Sequence, residues 1–310
     1  MPGAQNNREQ SRTPMTLVER INAYEKLIRL DKPIGILLLL WPTLAALWWA
    51  TFGHPALTLI IVFTVGTILM RCAGCALNDW ADRDFDAHVK RTADRPLARL
   101  DIEPWEALVV AAVLAAVAFL LVAYGTNLQT VRLSIVGLAI CIAYPFTKRF
   151  LAIPQAFLGL AFSFGIPMVF TAVYGTLPLL AWMLFAINLF WVVAYDTEYA
   201  MVDRDDDIRL GLRTSAITFG RFDVVAVAVC YGVYFAGTAW IGSMRGMGTI
   251  FWTGFAVAAA FAIYHLWLIR TRERDRCFRA FLSNHWLGFA VFAGIALDYA
   301  VRLNAWPLLH

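Results

Sequence analysis

The sequence predicts an all-α polytopic membrane protein with nine transmembrane helices. Hydrophobic residues make up 60% of the 310 residues and charged residues only 15%, which is far from the balance of a water-soluble domain. The apolar residues also form stretches of about 20 residues, the length that an α-helix needs to cross a bilayer. We assign nine such stretches, at residues 34–52, 57–77, 106–124, 130–146, 153–174, 179–199, 222–242, 249–269 and 283–302.

The first 30 residues precede the first predicted span. Residues 1–15 are polar and lack the apolar core of a signal peptide, so we expect a disordered cytosolic tail. Residues 16–30 place apolar side chains at helical spacing among charges, which predicts an amphipathic helix on the membrane surface. The remainder, up to residue 310, is predicted to be a single membrane domain.

The basic residues predict the orientation in the membrane. All but four of the 26 Lys and Arg residues lie in the N-terminal segment or in even-numbered connections; the exceptions are Arg71, Arg132, Arg245 and Arg302. Because connections rich in Lys and Arg stay in the cytoplasm, we expect a cytoplasmic N-terminus and an external C-terminus in a bacterial inner membrane. These flanking charges account for the net charge of +4 without a nucleic acid partner, and no obligate protein partner is implied.

Acidic residues concentrate in two short runs. Ten of the 22 Asp and Glu residues fall within residues 78–86 and 196–207, which follow the second and sixth predicted spans. Each run is followed by an Arg-Thr pair, at Arg91 and at Arg213. This repetition predicts two four-helix repeats plus a ninth helix, and repeats of this kind commonly enclose a site at their interface.

The spacing within both runs predicts a metal site. Each run places three polar side chains on one face of its own helix. Their spacing is i, i+4 and i+8 in the first run and i, i+7 and i+11 in the second. Oxygen ligands converging from two helices suit Mg²⁺. The predicted ligands are Asn78, Asp82, Asp86, Asp196, Asp203 and Asp207, while Asp84, Asp205 and Asp206 face elsewhere. The alternative is a network of surface ion pairs, each of which contributes about 1 kcal/mol at most.

Basic residues near the acidic runs predict a phosphorylated substrate. Mg²⁺ usually shares its coordination with phosphate oxygens, and Arg side chains bind such oxygens in a bidentate manner. The candidates are Arg83, Lys90, Arg91, Lys148, Arg149, Arg204, Arg209 and Arg213. A cation-coupled transporter would also explain repeated carboxylates, but it does not explain why they lie at the cytoplasmic end among basic loops.

Several sequence motifs resemble one known family. The NDxxDxxxD run at 78–86, the run AYDTEYAMVDRDDDIRLG at 194–211 and the nine-helix layout resemble the UbiA superfamily of intramembrane prenyltransferases. Four further segments are most similar to the branch of this superfamily that prenylates 4-hydroxybenzoate in ubiquinone biosynthesis. They are RLDKPIGILLLLWPT, MRCAGCALND, HVKRTADRPL and YPFTKRF. The resemblance extends from about residue 29 to the last helix. Glu198 stands where a neutral polar residue is expected, which would add charge to the site.

The resemblance implies a UbiA-type fold and a magnesium-dependent reaction. A polyprenyl group would pass from an allylic polyprenyl diphosphate to the ring of 4-hydroxybenzoate, ortho to its hydroxyl, while the prenyl tail extends toward the lipid bilayer. Asp82, Asp86, Asp203 and Asp207 would be the catalytic residues. A carboxylate of the second run, for example Asp203, would orient or deprotonate the phenol, and Tyr195 would contact substrate. Sister enzymes with another aromatic acceptor remain the alternative.

Arg71 is the candidate partner for the acceptor's carboxylate. An Arg within a membrane span is costly and usually functional. Arg71 precedes Asn78 by seven residues and Asp82 by eleven, so it lies on the same face of the helix as these two residues and deeper in the membrane. The alternatives are a salt bridge from Arg71 to one of the aspartates, and Arg149 as the acceptor's partner.

Overall fold

The computed structural model describes residues 15–86, 92–147 and 149–305. All secondary structure in these ranges is helical, so the predicted all-α class is confirmed. Twelve α-helices follow in order: α1 Leu17–Ile28, α2 Ile34–Thr51, α3 Leu57–Asp86, α4 Pro104–Gly125, α5 Leu128–Thr147, α6 Pro154–Ser163, α7 Gly165–Tyr174, α8 Leu179–Leu210, α9 Ser215–Phe219, α10 Asp223–Met244, α11 Thr249–Ile269 and α12 Arg274–Ala305.

Nine helical stretches in the described chain are long and apolar enough to cross a membrane, as predicted. Three helices are much longer than the predicted spans: α3 and α8 continue through the acidic runs to 30 and 32 residues, and α12 begins at Arg274 and also has 32 residues. The fifth span consists of two helices, α6 and α7, which meet at Phe164. Pro167 lacks the N–H that would bond to the carbonyl of Ser163, so the helical hydrogen bonding is interrupted there.

Six helices enclose the centre of the molecule. Each of α2, α3, α5, α6, α8 and α12 packs against the next in that order, and α12 packs against α2. Outside this ring, α4 covers α3, α10 covers α8, and α11 covers α12. The outward faces expose apolar side chains such as Val113 and Val229, as expected where lipid is the solvent. The acidic ends of α3 and α8 therefore belong to the central ring.

Helix α1 is fixed at both its start and its middle. Thr16 and Glu19 form a reciprocal capping box at its N-terminus. Farther along, Glu106 of α4 accepts hydrogen bonds from the Arg20 guanidinium and from the Tyr24 hydroxyl, the latter at 2.8 Å. The exposed apolar face of α1 includes Leu17, with 76% of its surface accessible. The predicted tail at residues 1–15 lies almost entirely outside the described chain.

A buried polar network connects α8 with α10, α11 and α12. The Tyr231 hydroxyl lies 2.9 Å from Glu198 Oε1 and 3.0 Å from His265 Nδ1. Asn284 Nδ2 donates to Glu198 Oε2 at 2.8 Å, and Ser283 Oγ lies 2.8 Å from His265 Nε2. The sequence position of Glu198 suggested added charge in the site, but its side chain is fully buried within this network. Its two oxygens instead hold α10 and α12 against α8.

Replacing Tyr231 with Phe should lower the melting temperature measured in detergent. The substitution keeps the ring but removes the hydroxyl that joins three helices, and a buried hydrogen-bonding group left without its partner costs about 1–3 kcal/mol. Tyr264→Phe is the matched control, because Tyr264 lies on an exposed face. Equal melting temperatures for the two variants would contradict the stabilising role of the network.

Candidate active site

Two adjoining cavities lie inside the ring of helices. The larger, of about 580 Å³, is called here the apolar cavity, and its walls include Phe63, Met70, Leu138, Phe162 and Met168. The smaller, of about 130 Å³, is called the acidic cavity and lies between the acidic ends of α3 and α8. Both cavities are lined by Arg95, Tyr144, Asp196 and Tyr199. A molecule with a polar head and an apolar tail can therefore occupy both.

The acidic cavity collects carboxylates from both acidic runs. Asp82 and Asp86 reach it from α3, and Asp196, Asp203 and Asp207 reach it from α8. The sixth predicted ligand, Asn78, lines the apolar cavity instead and donates a 3.1 Å hydrogen bond to Asp82 Oδ2. The structure thus brings five predicted ligands to one cavity and places Asn78 beside it.

The donor set fits a magnesium ion that also binds substrate and water. Among the described residues, no three His, Cys, Asp or Glu side chains are close enough together to hold a metal ion by themselves. Mg²⁺ does not need such a cage, because it retains water and is commonly bound by one or two carboxylates together with phosphate oxygens. Five carboxylates around a small cavity offer those one or two ligands from each side.

Asp79 anchors two arginines that the sequence reasoning missed. Its side chain is 1% exposed, and Oδ1 lies 2.5 Å from Arg29 Nη2 and 3.1 Å from Arg95 Nη1. Arg95 Nη1 also lies 2.6 Å from Asp86 Oδ2. Asp79 itself was the available signal, because a carboxylate on an apolar helix needs a cationic partner. Arg95 thereby joins the buried anchor to a carboxylate of the acidic cavity.

Asp86 lies two residues beyond the apolar span that ends at Asp84. Burial raises the pKa of the Asp86 carboxyl above its usual range, and repulsion from Asp79 and Asp82 acts in the same direction. The Arg95 guanidinium opposes this rise in pKa. A second cation near Asp86 would therefore favour its ionised form.

The predicted phosphate-binding residues divide into two groups. Arg149 and Arg213 line the acidic cavity. Arg149 Nη2 donates to the Ala81 carbonyl at 3.3 Å, and Arg213 Nη1 donates to the Phe150 carbonyl at 3.2 Å. Both guanidiniums are thus held at the rim by backbone oxygens. Three further candidates lie outside the described residues: Lys90, Arg91 and Lys148.

The other predicted basic residues contact neighbours away from both cavities. Arg83 stacks on the Trp80 ring, with its guanidinium carbon 5.1 Å from the ring centre. Arg204 pairs with the buried Asp223 at 3.3 Å, and Arg209 pairs with Asp206 at 3.8 Å. Their predicted roles in phosphate binding have no supporting contact here.

The three acidic residues predicted to face elsewhere line neither cavity. Asp84 has a side chain that is 74% exposed, and Asp205 is also exposed. Asp206 Oδ2 accepts a 3.2 Å hydrogen bond from Arg274 at the start of α12. Asp206 therefore connects α8 to α12 outside the cavities.

Arg71 and Tyr195 bring polar groups to the wall of the apolar cavity. The Arg71 guanidinium carbon lies 5.6 Å from the centre of the Phe162 ring, and Arg71 forms no ion pair with any carboxylate in the described ranges. The Tyr195 side chain is 1% exposed, and its hydroxyl has no hydrogen-bond partner in the described part of the chain. Both groups can therefore bind a polar ligand inside the cavity.

Comparison of the sequence with known proteins gives one consistent match. Residues 39–293 match the model of the UbiA prenyltransferase family. A protein of Burkholderia vietnamiensis named 4-hydroxybenzoate octaprenyltransferase is 59% identical over 285 residues, covering 92% of this chain and 98% of that protein. A protein of the same name from Cupriavidus necator is 58% identical and covers 92% of this chain and 100% of that protein.

Solved structures have the same fold. A UbiA homologue from Aeropyrum pernix superposes with a TM-score of 0.74 at 25% identity, covering 84% of this chain and 97% of that one. A UbiA homologue from Archaeoglobus fulgidus, solved with GPP and Mg²⁺, superposes with a TM-score of 0.65 at 16% identity, covering 87% of this chain and 99% of that one. With the motifs, the helical ring and the family match in agreement, this integral membrane protein belongs to the UbiA prenyltransferase family.

Proposed function

We propose that this enzyme transfers a polyprenyl group from an allylic polyprenyl diphosphate to 4-hydroxybenzoate in ubiquinone biosynthesis. The product is 3-polyprenyl-4-hydroxybenzoate, with the new bond ortho to the hydroxyl. The observation that carries the proposal is that a cavity lined by carboxylates and arginines shares four lining residues with a neighbouring cavity that has apolar walls. The names of relatives at 58–59% identity, matched over nearly their whole length, support the choice of acceptor.

The diphosphate occupies the acidic cavity together with magnesium. Asn78, Asp82, Asp86, Asp196, Asp203 and Asp207 are the proposed metal ligands. When bound, magnesium supplies positive charge that stabilises the departing diphosphate. Arg149 and Arg213 line the same cavity and donate N–H groups to phosphate oxygens. Arg95 keeps Asp86 in place, since it donates a hydrogen bond to Asp86 and forms an ion pair with the buried Asp79.

The prenyl chain occupies the apolar cavity. Side chains of α3, α4 and α5 form much of its wall, including Phe63, Phe119 and Leu138. Along α3, the wall runs from Asn78 back to Val62, which corresponds to about 24 Å at 1.5 Å per residue. The allylic end of the chain then lies at the junction of the two cavities, and the rest of the tail extends toward lipid.

The acceptor binds deeper than the metal site, against Arg71. Arg71 lies within a span, faces the apolar cavity and is free of ion pairs with the described carboxylates, which favours it for the carboxylate of 4-hydroxybenzoate. The unpartnered Tyr195 hydroxyl supplies a second donor in the same cavity. Arg149, the competing candidate, lines the acidic cavity and suits the diphosphate better.

The chemistry takes place at the junction of the cavities. The allylic carbon–oxygen bond breaks, diphosphate leaves, and the positive charge on the allyl group is exposed to the ring faces of Tyr195, Tyr199 and Phe281. The acceptor carbon ortho to the hydroxyl then bonds to the allylic carbon and loses its proton. Asp196 lines both cavities, so it is better situated to accept that proton than Asp203, which lines only the acidic cavity.

The acidic cavity opens on the cytoplasmic side of the bacterial inner membrane. The concentration of Lys and Arg around the acidic runs supports this orientation, with the C-terminus on the opposite side. The soluble acceptor then enters from the cytoplasm, while the lipid-soluble donor enters from the bilayer.

Replacing Asp82 or Asp203 with Ala should each abolish most transfer, because one face of the proposed metal site is removed. The measurement is magnesium-dependent incorporation of labelled 4-hydroxybenzoate into lipid by membranes supplied with polyprenyl diphosphates of several lengths. Asp84→Ala and Asp205→Ala are matched controls on the same two helices and should retain activity. Full activity in both Asp82→Ala and Asp203→Ala would refute the site, and a preference for homogentisate or a naphthoate would refute the acceptor.

Replacing Arg71 with Leu should raise the KM for 4-hydroxybenzoate more than the KM for the prenyl diphosphate. The reason is that a hydrogen bond between charged groups is worth about 1.5–3 kcal/mol, which corresponds to roughly a ten- to hundred-fold change in affinity. Steady-state kinetics with each substrate varied in turn measures the difference. An unchanged KM for 4-hydroxybenzoate would show that a residue other than Arg71 binds the acceptor's carboxylate.

A further inference from the structure

The first turn of α2 passes directly over the Arg71 side chain. A Cβ atom built on Gly35 would lie 2.6 Å from Arg71 Nη2, 2.7 Å from Nε and 3.0 Å from Cζ. Ordinary contacts of a Cβ atom begin at 3.4 Å, so these distances leave no room for a side chain. The guanidinium therefore occupies the volume that the Cβ of any other residue at position 35 would fill.

Aromatic packing fixes a second side of the same guanidinium. The Phe162 ring centre lies 5.6 Å from Arg71 Cζ, which is within the range of a cation–π contact. Gly35, Arg71 and Phe162 all line the apolar cavity. Among the residues that the structure describes, the cation thus contacts one backbone surface and one ring, and no carboxylate forms an ion pair with it.

We propose that Gly35 is a positioning residue for acceptor binding: its missing side chain lets the Arg71 guanidinium lie where it meets the carboxylate of the aromatic acceptor. This inference rests on the proposed function, and in particular on Arg71 as the partner of that carboxylate. It gives a role to the KPIG segment at residues 32–35, which the metal and diphosphate sites leave without one.

A purely structural need for glycine does not account for this position. Gly35 lies inside α2 and is not among the glycines with positive φ, so its backbone conformation is open to any residue. Alanine is favoured over glycine in a helix. The three atoms nearest to an added Cβ all belong to the end of the flexible Arg71 side chain, which can move aside at little cost. Gly35→Ala should therefore fold normally while displacing the guanidinium.

The size of the displacement sets the expected effect. To reach ordinary contact, Nη2 must move from 2.6 Å to at least 3.4 Å from the new Cβ. A misplacement of about 1 Å can cost as much as a hundred-fold in rate. For Gly35→Ala we expect the KM for 4-hydroxybenzoate to rise about ten-fold, with the KM for the prenyl diphosphate and the melting temperature unchanged. The preference for 4-hydroxybenzoate over the uncharged 4-hydroxybenzamide, measured as the ratio of kcat/KM values, should fall by a similar factor.

Two further variants separate positioning from a general effect. Gly232→Ala adds the same methyl group to a helical glycine outside both cavities, where an added Cβ meets no atom within 4 Å, and should leave both KM values unchanged. In an Arg71→Leu background, Gly35→Ala should raise the acceptor KM no further, because the side chain that it displaces is already absent.

The outcomes are distinct. An acceptor KM that stays unchanged in Gly35→Ala, an equal rise in both KM values, a large loss of melting temperature, or full additivity with Arg71→Leu would each overturn the role of Gly35. Failure of the proposed function would appear differently, as a wild-type enzyme that does not prenylate 4-hydroxybenzoate at all.

Discussion

Mutual repulsion among carboxylates is the constraint on which this structure depends. Five aspartates from α3 and α8 surround a cavity of about 130 Å³ at the edge of a membrane domain. Such a group is stable only where cations balance it, since buried charge without a partner is costly. Part of the balance is built into the chain, through the Asp79–Arg95–Asp86 connection and through Arg149 and Arg213 at the rim. The remaining negative charge suits the magnesium ion that we propose to bind there together with the diphosphate.

The apolar cavity differs from the acidic cavity in that it contains few charged groups for its size. Its walls are largely hydrophobic, and its polar groups are few and specifically located. Arg71 is held by a ring and a glycine surface instead of a carboxylate, which keeps its guanidinium available to a ligand. Tyr195 likewise has a hydroxyl for which no described residue is a hydrogen-bond partner. Unsatisfied groups of this kind cost stability, and their retention in a buried wall is characteristic of sites that are completed by a substrate.

Helix α8 lines the acidic cavity with one side and packs against neighbouring helices with the other. One side presents Asp196, Asp203 and Asp207 to the acidic cavity, while the other presents Glu198 to Tyr231 and Asn284. The second set fixes the helix against α10 and α12, so the aspartates are held by a rigid support. Such rigid positioning of the carboxylates would allow the proposed metal–diphosphate complex to bind without reorganising the protein.

The class of fold, the number of spans and the helical faces of the acidic runs could be predicted from the sequence. Those properties depend on local periodicity and on the length of apolar stretches, which any single segment reveals. The motifs at fixed spacing in the sequence also indicated the family. The packing of the helices was needed to show which polar groups meet: Asp79 with Arg29 and Arg95, Arg204 with Asp223, and Glu198 with Tyr231. Such pairs join residues far apart in the chain, and their geometry depends on how the helices pack. The contact between Gly35 and Arg71 also joins two residues that are far apart in the chain. The role of a glycine within a helix can be inferred only when the residue that it contacts on another helix is known.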